Sequence, residues 1–386
     1  MSAAQSSSGS ALFGTRESIS VTRALGELQA RTPIQINAPG EALFILPVEG
    51  LDNRRLTEFV RLCRPEAPDL IITQQRALTL SLDAAAPTAV RLTGALDAGR
   101  ILNLVAERGS HSAVEASAAS FAAKAAIQLV KLSQGLPAVL AANLVGQDII
   151  DQDPIDREIG YVPSIASVDA DAVGRFASDA VNSLVVASDA LVPLASGITA
   201  RFVVFRDAIG TDQVAIIVGK PDFAKPVPVR LHSACLTGDV FGSRRCDCGD
   251  QLALALIRME ELGGGVILYL AQEGRGLGLA NKMRTYRLQD GGLDTLDANT
   301  TLGFDDDERD YAIAARMLHM LNCWRIQLLT NNPAKLDGLT QSGIEIAARV
   351  PLETPVNPHN KRYLTTKAAR SGHQLFNVTV FAADKS

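Results

Sequence analysis

The chain has 386 residues, of which 47% are hydrophobic and 20% charged, and its net charge is -5. That length suggests two domains, each large enough to bury a core without disulfide staples. The acidic balance argues against a general nucleic-acid or membrane-surface binder and leaves room for a local basic patch around a small anion. Three of the five cysteines crowd into one short loop, which is not the pattern of a secreted disulfide framework. The opening MSAAQSSSGSALFGTRES lacks a basic start followed by an apolar core, so it reads as a disordered tail over residues 1–17 rather than a signal peptide. No run of about 18 or more apolar residues exists to span a bilayer. A cytoplasmic location is expected, with neither nucleic acid nor membrane as partner.

In chain order, Ile19 to Arg31 has the spacing of an amphipathic helix. TPIQI and EALFILP predict short strands, Leu56 to Cys63 a helix, and DLIIT a strand. The Ala-rich stretch Ser117 to Leu132 predicts a helix that stops near Gly135 and Pro137. Helices alternating with strands indicate an α/β or α+β layer. The domain linkage is expected in or just after the polar segment Asp148 to Asp171. Beyond Leu191, ARFVVFRDA and QVAIIVGK alternate as strands around a turn at Gly210 to Asp212, and VPVRLHS is a third strand. Gln251 to Leu262 reads as a helix, VILYLA as a buried strand, and Ala280 to Gln289 as a helix after a Gly-rich loop. RIQLLT is a strand, Asn332 an N-cap with Pro333 at the first helical position, and IEIAARV the next strand.

VPVRLHS runs into CLTGDVFGSRRCDCGD, which spaces the cysteines as Cys235, ten intervening residues, and the C-x-C pair Cys246 and Cys248. A C-x-C pair is too close for an ordinary disulfide but can place two thiolates on one metal. Three ligands with no local fourth point to an open zinc site, where water completes the coordination and becomes a nucleophile near neutral pH. Arg244 and Arg245 would favour thiolate over thiol. The alternatives are a closed zinc site, with His232 or a distant residue as fourth ligand, and three unliganded buried thiols. Cys63 and Cys323 read as core packing.

AQEGRGLGLANK follows VILYLA, and its glycines let backbone approach an anion just before a helix. Arg275, Lys282, Arg284 and Arg287 make the surroundings basic, with Lys335 on a later helix start. A solvated face explains them, and beside a metal loop so does a polyphosphate ligand. FDDDERDY precedes the helix AIAARMLHML, where Asp305 and Asp306 suit ordinary capping. Arg309 does not suit it, because the positive end of a helix dipole disfavours a cation; Asp307 and Arg309 could instead be a proton acceptor and a phosphate-reactive group.

HSACLTGD, RCDCGDQL, LYLAQEGRGLGLANKMRTYRLQD, DTLDAN, LGFDDDERDY, LLTNNPAKL and YLTTKAARSGH, in this order from about Leu191 to His373, together resemble the GTP cyclohydrolase II family. The resemblance implies zinc-dependent opening of the guanine imidazole ring, with release of formate and pyrophosphate, leaving a diaminopyrimidinone ribosylamino phosphate at the start of riboflavin biosynthesis. Magnesium would assist at the phosphates. By motif, Cys235, Cys246 and Cys248 stand at the zinc ligands. Arg230, Leu231, His232, Ser233, Ala234, Gln251, Glu273, Gly274, Arg275, Thr295, Thr330 and Lys335 stand where that family binds GTP. Asp307 matches its proton acceptor and Arg309 its proposed nucleophile on the α-phosphorus; Tyr286 falls in the binding region. One position departs: the familiar motif reads His-Ser-Glu-Cys, and Ala234 replaces the Glu. If that carboxylate reads the base, guanine specificity is open; if only backbone meets the ligand there, little changes.

VTRALGELQARTPIQI and AAIQLVKLSQGLPAVLAANLV resemble, more faintly, 3,4-dihydroxy-2-butanone 4-phosphate synthase. That family's acidic loop should follow the first strand, but NAPGEALFILP stands there, and its late Glu is replaced near Asn143. A magnesium enolisation site needs those carboxylates. The expected architecture is therefore α/β (α+β) in two domains. A degenerate synthase-like scaffold over 18–188 precedes a GTP cyclohydrolase II-like mixed sheet with helices over 189–375, and a tail covers 376–386. A homodimer is expected. An enzyme of the same family opening a uracil nucleotide, and a non-catalytic nucleotide sensor, are the rival readings.

Overall fold

The computed structural model describes residues 14–108, 115–144, 164–370, 372, 374 and 375. The start of the expected N-terminal tail, most of the linkage segment, His373 and the tail 376–386 lie outside the described residues. The chain divides near Asp179 into two compact units, the first of which also takes up 284–291 and 296–305. Among the described residues, no helix is long and apolar enough to cross a membrane.

Unit 1 holds strands β1 (Ile34–Ala38), β2 (Glu41–Pro47), β3 (Asp69–Ile72), β4 (Thr88–Val90), β5 (Ala116–Ala118), β6 (Ala138–Asn143) and β7 (Ser167–Asp169). They form one mixed sheet in the order β5-β4-β3-β6-β2-β1-β7. The helix Arg16–Gln29 buries Val21, Ala24, Leu25 and Leu28, one stripe at helical spacing, and Thr15 caps it by accepting from Ser18 N. The predicted helix from Ser117 starts later, at Phe121, because Ser120 takes the cap and Ala116–Ala118 pairs with β4 as a strand. NAPG is a tight hairpin: Ala38 pairs with Glu41, so only Pro39 and Gly40 make the turn. Asn143 sits at the end of β6 opposite Leu43.

Unit 2 holds β8 (Val185–Pro193), β9 (Thr199–Arg206), β10 (Asp212–Gly219), β11 (Val227–Ser233), β12 (Gly264–Leu270), β13 (Arg325–Leu329) and β14 (Glu345–Val350). Their order is β14-β13-β11-β12-β10-β9-β8. Strands β8, β9, β10 and β12 run antiparallel to their neighbours in turn, while β11 lies parallel to both β12 and β13. Both architectures are mixed α/β, as expected. The two-residue alternation of a strand divides β10 between two cores, while the apolar residues of β11 face one of them. Ala215, Ile217, Val229 and Leu231 join one core with Leu318 and Leu328, while Ile216 and Val218 join Ala255 and Met259 on the other face. The predicted helix at Gln251 begins three residues earlier and spans Cys248–Glu261.

Candidate active site

After β11 the chain forms β12 on one side and β13 on the other. Such a reversal of strand order leaves a crevice at the carboxyl ends of parallel strands, where ligands commonly bind in α/β sheets. The end of β11 carries Arg230 to Ser233 and leads into Cys235; β12 leads into the short turn Glu273–Gly276; β13 leads into Thr330 and the helix Pro333–Gln341. Segments far apart in sequence are thereby gathered at one sheet edge.

The cysteine loop folds around Gly238. The sulfurs of Cys235, Cys246 and Cys248 all lie within 4.8 Å of one another, the one group of its kind among the described residues. A Cβ on Gly238 would lie 2.9 Å from Cys246 Sγ and 3.0 Å from Cys235 Sγ, so glycine there leaves the thiols room to converge. Three convergent thiols fit a tetrahedral zinc or similar soft divalent ion with one coordination position left for another ligand. Hydrogen bonds from the other two thiols, and then Lys282, pull the Cys235 thiol far down, and the charge it acquires pushes Cys246 and Cys248 up. Asp239 braces the loop: its carboxylate accepts from Cys235 N at 2.9 Å and Tyr269 OH at 2.9 Å, and meets His232 Nε2 at 3.1 Å. His232 stacks on Tyr269 and spends its Nε2 on Asp239, which leaves the thiol group without a histidine partner at that nitrogen. Burial pushes the His232 imidazole down, against the Asp239 carboxylate.

Arg230, buried on the face opposite Leu231, donates to Leu329 O at 2.9 Å and to Gln251 Oε1 on the helix Cys248–Glu261. Gln251 passes the contact to Asp247, which lies between two of the cysteines and pairs with Lys367 at 3.0 Å. Lys335 Nζ donates to Leu231 O at 2.7 Å. Burial, then the charges of Arg230, Arg309 and Lys367, push the Lys335 ammonium well down, and burial lowers Arg230 to about 10. Arg309 forms a two-pronged pair with Asp307, its Nε 2.7 Å from Oδ1, and lies 5.7 Å above the ring of Tyr311. Burial alone would raise Asp307, but Arg309 and then Arg275 more than offset it and hold the carboxyl below its usual range. Arg275 adopts φ +65°, in the left-handed region that side chains avoid, while its carbonyl accepts from Glu308 N. A Cβ on Gly276 would lie 2.9 Å from Glu308 O, so this turn packs on the Asp307 loop only with glycine there.

The predicted residues at the three strand ends therefore meet. Ser233 and Ala234 close β11, Ala234 N donating to Leu270 O on β12 whatever its side chain. Gly274, at φ +63°, turns beside Arg275. Thr330 is buried and accepts from Asn332 N, and Thr295 opens the helix Thr295–Thr301, half-buried. Glu273 faces the cysteine loop, accepting from Leu236 N at 2.6 Å. Tyr286 is half-buried in the helix Leu279–Asp290 and belongs to unit 1.

Four expectations need correction. Arg309 is not at a helix start: the helix is Ala312–Met320, with Asp310 accepting from Ala312 N, so the dipole argument fails and the Asp307 pair explains the position. Nor do Asp305 and Asp306 cap that helix; Asp305 pairs with Lys131. Arg284 and Arg287 do not share in a phosphate cluster, because they pair with Glu49 and Glu107 in unit 1. Arg244 and Arg245 are exposed, and it is Lys282 that contacts a thiol. Asp239, Lys367 and Tyr311 went unmarked in sequence; only the run of Asp239 four residues after Cys235 offered a local hint.

Fold and site together define a mixed α/β protein with a thiol group suited to a metal at its strand ends. Residues 186–351 match the family model described as GTP cyclohydrolase II. A GTP cyclohydrolase-2 of Xylella fastidiosa is 37% identical over 366 residues, covering 94% of this chain and 89% of that protein. One from Azotobacter vinelandii is 49% identical over 193 residues, half of this chain and 93% of that one. A two domain 3,4-dihydroxy-2-butanone 4-phosphate synthase from A. baumannii aligns over 86% of this chain and 99% of its own, at 13% identity and a TM-score of only 0.32. The chain belongs to the GTP cyclohydrolase II family and is an enzyme of it.

Proposed function

We propose that the chain hydrolyses GTP, opening the imidazole ring of guanine and releasing formate and pyrophosphate, with the chemistry carried by the part over 189–375. The convergence of three thiols around Gly238, with Arg230 feeling the charges of both Cys248 and the Asp307-paired Arg309, is the observation that carries this reading. Cys235, Cys246 and Cys248 would hold zinc, which when bound supplies Lewis acidity and an activated water at neutral pH. Arg230, Arg275, Arg309 and Lys335 give the crevice the cations that a triphosphate requires, and magnesium would share that charge. Asp307, kept as carboxylate by Arg309, would accept a proton and orient the guanidinium fork for a phosphoryl group. Arg309 then acts either as nucleophile on the α-phosphorus or as a charged clamp. Its two-pronged bond to a carboxylate suits the clamp, since a free guanidinium is a poor nucleophile with a pKa above about 12.

The N-terminal part over 18–188 is read as a catalytically silent scaffold. A two-residue hairpin stands where the synthase's acidic loop would be. The Azotobacter relative is nearly spanned by half of this chain, which supports a self-sufficient catalytic half. The test is zinc-loaded protein with GTP, and separately with a uracil nucleotide, products identified by mass. Formate and pyrophosphate from GTP support the reading. Turnover of the uracil nucleotide alone would shift it to the rival substrate, which the loss of the Glu at Ala234 makes worth assaying. Tight GTP binding with no turnover would make the chain a sensor.

A further inference from the structure

Lys282 stands in a stretch whose cations suggested phosphate binding, yet it turns toward the cysteines. Its Nζ lies 3.0 Å from Cys235 Sγ, 2.9 Å from Thr237 Oγ1 and 2.8 Å from Glu273 Oε1. The side chain is only 10% exposed. An ammonium has three protons to donate, and these three acceptors match them. The second oxygen of Glu273 accepts from Leu236 N, so the carboxylate that receives Lys282 also grips the residue after Cys235. The helix Leu279–Asp290 thereby delivers one buried positive charge to the first thiol of the group.

That charge has a chemical use. Three thiolates around a dication leave a net negative centre, and thiolate donation makes the metal a weaker Lewis acid than neutral histidine ligands would. A cation bonded to one sulfur withdraws part of that density and fixes the sulfur's direction, as outer groups do at other metal sites. We infer that Lys282 is a positioning residue of the metal centre, its ammonium offsetting the excess negative charge of Cys235, Cys246 and Cys248 and orienting the Cys235 sulfur. This rests on the reading that the three cysteines hold zinc.

The test uses the full chain and the variants Lys282→Met, Lys282→Gln and Lys282→Arg. Zinc affinity is measured by competition with a chromophoric chelator, and the thiolate-to-metal charge-transfer band is recorded after cobalt(II) substitution. Met and Gln should weaken zinc binding about 10- to 100-fold. They should also move the cobalt band to lower energy, because an unbonded thiolate gives up its electron more readily. Arg should restore part of both. A band and an affinity unchanged in Met and Gln, even with a lower melting temperature of the metal-free protein, would overturn the proposal and leave Lys282 as the structural partner of Glu273. Should Met fail to fold, Gln and Arg carry the same comparison. A wild-type chain that shows no thiolate band with cobalt fails at the earlier step, the cysteine reading itself.

Discussion

In unit 1, β1 turns straight back into β2 through Pro39 and Gly40, whereas in unit 2 β11 leaves its sheet into a loop that gathers three thiols. Among the described residues both sheets have seven strands and mixed pairing. The difference lies in strand direction beside the loop. β2 is antiparallel to β1 and to β6, so a two-residue turn satisfies the connection. β11 is parallel to β12 and β13, so long crossovers must leave at the carboxyl ends of these strands and run back to the opposite end of the sheet. Those crossovers supply loops in which Cys, Arg, Lys and Asp can be held without breaking a sheet. On the proposed reading, unit 1 keeps its sheet core without such loops.

Several substitutions would break or sharpen that contrast. The largest effect belongs to the thiols: Cys235→Ser, Cys246→Ser or Cys248→Ser should remove bound zinc and lower formate release by roughly a thousandfold or more, while the circular dichroism of the fold survives. Metal content and formate assays on the same samples check this, and full activity in a zinc-free variant would sink it. Next, Arg309→Ala should keep zinc and lose pyrophosphate release by about 10²- to 10³-fold, the scale of removing a positioned charge. Partial activity in Arg309→Lys with no trapped nucleotidyl adduct supports the clamp; an adduct mapped by mass to Arg309 supports the nucleophile.

Lys335→Met tests whether the strand-end crevice gives up stability for binding. The Lys335 ammonium has a folded pKa pushed below its unfolded value. Between those two values the unfolded chain holds the proton and the folded chain does not, so wild-type stability rises with pH across that window. Met should flatten that rise and increase the melting temperature at neutral pH, by about 2–4 °C per kcal/mol gained in a unit of this size. The KM for GTP should rise at the same time. A lower melting temperature would show that the Leu231 hydrogen bond outweighs the buried charge. Smallest of all is the expected null on the other side of the comparison: ribulose 5-phosphate with magnesium should give no dihydroxybutanone phosphate above a no-enzyme control, and any such product would restore a working site to the N-terminal part.

What the sequence could say follows from distance along the chain. VPVRLHS is β11 residue for residue, because alternation and β-branching are local signals. The cysteines were legible because their types and spacing are themselves chemical. Lys367 and Asp247 lie 120 residues apart, and nothing local announces their pairing. On one helix, Lys282 turns to a thiol while Arg284 and Arg287 pair with unit 1 carboxylates, a choice of face that only tertiary packing makes. The acidic run before Ala312 imitated a helix start, whereas the carboxylate that accepts from Ala312 N is that of Asp310.

The central claim is that the thiol site in unit 2 opens the guanine ring. It is tested most directly with GTP carrying an isotopic label at carbon 8, given to zinc-loaded and to chelator-stripped protein. The label should appear in formate, one per pyrophosphate released, from the loaded protein, and should stay in GTP with the stripped one. Labelled formate at equal rate from both, or none from the loaded protein, would contradict the account.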